Sequence, residues 1–213
     1  MCNEFRRHQS LQALSAEFDA QGLPMFAWDG GRIPNDAEGK DSIRIGEVAA
    51  VFRLADDALT ASMTPWAWKS PQGKPVFNFR SEGRDFGHSD RVLILTDGFY
   101  EYTAPTAPKV KLKDRHLFTM TGQPWFWIAG LVKENAFTML TTAPGPDIAP
   151  YHDRQVVVFE PKAGLDWLTL ARPEAELLRP APAGTLQVQT LRKDGVDLVA
   201  NGSQETPYQP SII

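Results

Sequence analysis

The chain has 213 residues, 42% of them apolar and 23% charged, the balance of a globular protein rather than a disordered, collagen-like or coiled-coil one. Its net charge of −4 argues against general affinity for nucleic acid, so such a partner would have to be held by a local basic patch. No apolar run reaches the ~20 residues of a membrane span, no signal-like segment follows Met1, and the single cysteine cannot form an internal disulfide, so a cytoplasmic protein is expected.

Residues 10–21 predict a helix, with Ser10 as cap, Leu11, Leu14 and Phe18 on one face and Gly22 at its end. Residues 22–46, dense in the turn signals GLP, DGG, IPND and EGKD, read as one long loop. From Gly46 to about Phe159 the pattern is of short strands, at 47–54, 61–68, 74–79, 91–102, 109–112, 117–120, 125–132, 137–142 and 155–159. Beyond Glu160 two short helices and a strand at 186–189 precede a polar tail over 190–213. With no βαβ alternation, the expected fold is α+β: a single domain over 1–213, with a β-rich antiparallel core or barrel and a few flanking short helices.

Cys2 directly follows the initiator methionine, whose removal would place a free amine and a thiol on one residue. A 1,2-aminothiol condenses twice with an aldehyde, the amine giving an imine and the sulfur closing a thiazolidine ring. Both groups have reactive fractions near neutral pH, since an α-amine titrates near ~7.7–8 and a thiol near ~8.5. N-terminal-nucleophile amidohydrolases also begin with cysteine, which in them attacks an amide carbonyl, so this residue alone leaves both chemistries open.

Four further segments narrow the choice: FNFRSE (77–82), DGFYEY (97–102), WIAGLV (127–132) and LTTAPGPDIAPYHDR (140–154). With Met1-Cys2 they stand in the order and approximate spacing of the SRAP family (SOS response-associated peptidase), which the chain resembles from Cys2 to about Trp167. The resemblance implies covalent shielding of abasic sites in single-stranded DNA through the N-terminal cysteine, with lyase-like character and self-removal of Met1. It matches Cys2 to the crosslinking nucleophile, Asn78 and Arg80 to the family's N-A-R segment, Glu101 to its G-x-x-E-W motif and His152 to its H-x-R segment. The chain departs from the pattern in three places. Asn3-Glu4 replaces Gly-Arg, Tyr102 replaces tryptophan, and Gln155-Val156 follows Arg154 in place of Met-Pro.

On this reading His152 shuttles the proton that opens the sugar hemiacetal. Glu101, at the end of an apolar strand, donates to the leaving oxygen and then faces the iminium charge. Asn78 orients the reacting groups without adding charge. Arg80 is expected to grip a phosphate, with Glu82 as its neighbour on the same strand face, and Arg6, Arg154 and Lys111 are further DNA-binding candidates. In KVKLKDR the residues Lys109, Lys111 and Lys113 would share one strand face, either to track a phosphate backbone or to guard a sheet edge. The W-x-W pairs, Trp66/Trp68 and Trp125/Trp127, each place both indoles on one face, and Trp66 is the candidate for base stacking. His8, His88 and His116 have no metal-ligand spacing, so neither metal nor cofactor is expected. The expected partner is single-stranded DNA carrying abasic sites, met by a monomer without a membrane. The rivals are an N-terminal-nucleophile amidohydrolase and a non-catalytic DNA-binding module.

Overall fold

The computed structural model describes residues 2–35 and 38–198. Its strands begin with β1 (Glu4–Arg7), β2 (Phe26–Trp28), β3 (Lys40–Arg44), β4 (Val48–Ala55), β5 (Ala58–Pro65) and β6 (Trp68–Lys69). Then come β7 (Pro75–Val76), β8 (Asn78–Arg80), β9 (Asp90–Thr96), β10 (Gly98–Thr103), β11 (Asp114–Met120) and β12 (Phe126–Lys133). The last are β13 (Ala136–Thr142), β14 (Gln155–Val156), β15 (Val158–Phe159), β16 (Leu186–Lys193) and β17 (Val196–Asp197). The α-helices are α1 (Leu14–Ala20), α2 (Gly164–Thr169) and α3 (Glu174–Leu177).

Strand periodicity explains the layering. Along β4, β9 and β12 successive apolar residues alternate between two buried clusters. Val92, Ile94, Phe126 and Ile128 face one side, and Leu93, Leu95, Trp127 and Ala129 the other. A sheet buried on both faces needs such continuous apolar runs. The first side packs against a six-stranded sheet in the order β17-β16-β11-β10-β1-β3, through Phe5, Phe99 and Phe118. The second is covered by α1 and α2, through Leu14, Phe18 and Trp167. The larger, nine-stranded sheet runs β14-β13-β12-β9-β4-β5-β2, with β15 on β12 and β8 on β13. Its pairs are antiparallel except β2 with β5 and β8 with β13. The result is an α+β fold built round a curled half-barrel sheet, as expected from sequence.

Several boundaries differ from the expectation. The helix predicted over 10–21 begins at Leu14 with no side-chain cap, although Leu11, Leu14 and Phe18 share the buried face and Gly22 leaves at φ +63°. Within the supposed loop 22–46 lie β2 and β3, short strands too polar or too brief to show alternation. The run 91–102 is two strands in different sheets. The chain crosses between them at Asp97, where the Thr96 hydroxyl donates to the Arg6 carbonyl (2.8 Å) and Asp97 accepts the His8 N–H (2.9 Å). Gly98 allows the close approach, since a Cβ there would stand 2.8 Å from Leu117 Cδ1. KVKLK is no strand: Lys109 turns at φ +70° and residues 109–113 join no sheet ladder. Most of the predicted tail, residues 199–213, lies outside the described residues, while β16 extends the strand foreseen at 186–189 as far as Lys193.

Candidate active site

Cys2 belongs to the apolar cluster between the two sheets, with 1% of its surface exposed. Its thiol donates to the Glu4 carbonyl at 3.3 Å. Burial, with the nearby charge of Glu101 adding to it, pushes the thiol well above its ordinary pKa. From the opposite sheet Asn78 Nδ2 donates to the Cys2 carbonyl at 2.7 Å. Asn78 reaches this point because β8 runs parallel to β13, in register Asn78 with Met139. Asn78 thus holds the Cys2 carbonyl from the nine-stranded sheet while the thiol bonds back to β1.

Glu101 follows Phe99 on the inward face of β10 and is 1% exposed. Burial lifts its carboxyl to about 7, so near neutrality it holds its proton part of the time. Opposite it on β11 stands His116, whose ring packs on Tyr151 at 4.7 Å. His116 is itself buried between the hydroxyls of Thr103 (2.9 Å) and Thr190 (3.1 Å).

His152 follows Tyr151 in the turn that begins at Gly145. Ile148, fully buried, anchors that turn, and Asp147 fastens it by accepting the Gly184 and Leu186 N–H groups at 3.0 and 2.9 Å. Arg154 closes it, gripping both carboxylate oxygens of Glu82 and donating to the Thr141 carbonyl at 2.8 Å. His152 Nδ1 has two competing neighbours, the Arg154 N–H at 3.0 Å and Asp153 Oδ1 at 2.8 Å. Bare, Nδ1 accepts from Arg154 and leaves the ring proton on Nε2; protonated, it donates to Asp153 and leaves Nε2 basic. Burial lowers the pKa of His152 and favours the neutral ring in which either form operates. Because His116, the register partner of Glu101, packs on Tyr151, the turn that carries His152 lies against the strands beside Glu101.

The structure therefore brings Cys2, Asn78 and Glu101 together and sets the His152 turn beside them. The expected DNA contacts divide. Arg80 is exposed at the end of β8, and Lys111 lines an open cleft. Arg6 is half-buried and ion-paired with Asp97 at 2.8 Å. Arg154, 9% exposed, was expected at DNA but pairs with Glu82. Trp66 is fully buried, stacked on Phe137 at 6.0 Å with its Nε1 donating to the Phe77 carbonyl at 2.9 Å. Its supposed partner Trp68 falls in the other core layer, because Ala67 at φ +86° reverses the alternation. Trp125 and Trp127 do share a face, 4.9 Å apart.

The cleft of about 450 Å³ lies beside the terminus, lined by Asn3, Glu4, Tyr102 and the cations Arg44, Lys111, Lys113 and Arg192. A chain of net charge −4 thus still presents a positive recess next to Cys2. Arg44 and Arg192 carried no signal in the sequence, because β3, β16 and the 109–113 turn bring them together only in the fold. Among the described residues no group of three His, Cys, Asp or Glu side chains is placed to hold a metal ion.

The family model for SOS response associated peptidase (SRAP) matches residues 1–194. A protein of known structure from Bordetella bronchiseptica shares 19% identity and a TM-score of 0.64, over 90% of this chain and all of that one. A phage-related protein from the same organism shares 21% identity at a TM-score of 0.63, over 90% and 95% of the two chains. A Bacteroides thetaiotaomicron protein shares 13% at 0.64, over 91% and 93%. These likenesses are of fold. No curated protein matches the chain significantly.

Proposed function

Since the chain belongs to the SRAP family, a DNA-damage-associated domain, we propose that it captures abasic sites in single-stranded DNA by forming a thiazolidine crosslink through Cys2 after loss of Met1. The observation that carries this reading is the pairing of a buried, proton-holding Glu101 with a cysteine gripped at its carbonyl by Asn78. The positive cleft beside them, with Arg80 on β8, supports a polyanionic substrate.

The chemistry balances without an outside reagent. His152 exchanges protons with the anomeric hydroxyl and ring oxygen, and the sugar opens to its aldehyde. The Cys2 amine adds to the aldehyde carbon, giving a carbinolamine. Protonated Glu101 gives its proton to that hydroxyl, water leaves, and the new carboxylate faces an iminium ion. The thiol, kept protonated by its burial, then passes its proton to Glu101 as sulfur bonds to the iminium carbon. Glu101 ends as it began. The sum is aldehyde plus aminothiol giving thiazolidine plus one water.

The test is to incubate protein lacking Met1 with an abasic oligonucleotide and run a denaturing gel. A retarded band that Cys2→Ala cannot form supports the reading. Turnover of amide substrates without such a band would favour an N-terminal-nucleophile amidohydrolase instead.

A further inference from the structure

Two of the departures from the family pattern touch each other: the Tyr102 hydroxyl donates to Glu4 Oε2. Glu4 is 3% exposed, and its other oxygen accepts Ser42 Oγ at 2.6 Å and Arg115 Nη2 at 2.9 Å. These donors come from β3, β10 and β11, so one side chain of β1 gathers three other strands of the same sheet. Burial alone would raise the carboxyl's proton affinity, but the Ser42 and Tyr102 hydrogen bonds and the Arg115 and Arg44 guanidiniums hold it below the ordinary carboxylate range. Arg115 is fixed in turn, its guanidinium lying over the Tyr100 ring at 3.9 Å.

Where the family carries an arginine, this chain has a buried anion, and the residue so anchored is the one whose carbonyl receives the Cys2 thiol. Chain ends fray unless tied down. Glu4 ties this end from the six-stranded sheet, as Asn78 does from the nine-stranded one. We propose that Glu4, with Tyr102 and Arg115 as its clamp, is a positioning residue that sets the Cys2 thiol opposite Glu101. The proposal rests on the crosslinking reading and adds to it the residue that replaces the family's arginine.

A phosphate-facing charge and a positioning anchor predict different outcomes. Glu4 lines the positive cleft, so were its charge all that mattered, Glu4→Gln would tighten DNA binding and leave the saturated crosslinking rate unchanged. Positioning predicts that Glu4→Gln slows that saturated rate by about tenfold, without weaker binding of the oligonucleotide. It also predicts faster iodoacetamide alkylation of Cys2, whose thiol loses its fixed seat. Tyr102→Phe, which removes one donor and no charge, shifts both readouts the same way by less. In the double variant the two losses combine to less than their product, because each opens the same clamp.

Rates of crosslinking and alkylation both unchanged in Glu4→Gln and in Tyr102→Phe would overturn the proposal. A trimmed wild-type protein that forms no crosslink would overturn the functional reading instead, and alkylation of Cys2 would still decide whether Glu4 holds the thiol. If Glu4→Gln fails to fold, Tyr102→Phe carries the same test.

Discussion

Glu101→Gln isolates the group on which the proton transfers turn. In the folded protein burial holds this carboxyl at about 7, against 4.5 when unfolded. The folded state therefore binds more protons than the unfolded one between those values, and its stability falls as pH rises through them. Linkage makes this loss about 1 kcal/mol at about pH 5 and about 3 kcal/mol at about pH 8.5, nearly complete once both states are ionised. Glutamine does not titrate. Whatever the replacement costs in lost contacts is the same at both pH values, so the stability of the variant relative to wild type should improve by about 2 kcal/mol from acid to alkali. For a chain of this size that is about 4–8 °C in the difference between the two melting temperatures. Urea unfolding of both proteins at the two pH values measures it. A relative stability that does not change with pH would refute the claim that Glu101 is a buried acid. The same variant should lose the alkaline limb of the crosslinking pH profile, which in wild type reflects ionisation of this carboxyl.

Other expectations follow from where the side chains lie. Trp66→Ala should destabilise the protein by about 3–5 kcal/mol in urea unfolding, as a core indole does, while Trp66→Phe should leave single-stranded DNA affinity unchanged in fluorescence anisotropy. Replacing Lys111 and Lys113 together by glutamine should flatten the plot of log affinity against log salt by about 1.4, at about 0.7 per phosphate contact for a single strand. Glu82→Gln opens the Arg154 clamp on the His152 turn. Because Glu82 is half exposed, global stability should drop by no more than about 1 kcal/mol, yet amide exchange at Tyr151 and His152 should accelerate.

The sequence reveals some levels of this fold and hides others, for physical reasons. Strands buried on both faces announce themselves by apolar content, so β4, β12 and β13 were legible nearly to their ends. The same property hides the break at Asp97, because the apolar runs VLIL and GFY stand close on either side of it and read as one strand although they lie in different sheets. Alternation in KVKLK misleads since a strand also needs a partner, and the turn at Lys109 takes this segment away from one. At Trp66 the period-two rule fails at a single positive φ, in Ala67. Motif order brought out Cys2, Asn78, Glu101 and His152. It could not reveal that Arg154 is spent on Glu82, or that Glu4 and Tyr102 meet, because hydrogen-bond partners separated by 72 and 98 residues leave no local trace.

The most direct measurement is the intact mass of the species formed with an abasic oligonucleotide, before and after borohydride. The account predicts protein without Met1 plus DNA minus one water, with no change on reduction because the ring is closed. An adduct that keeps Met1, or that gains two hydrogens and so was an open imine, would contradict it.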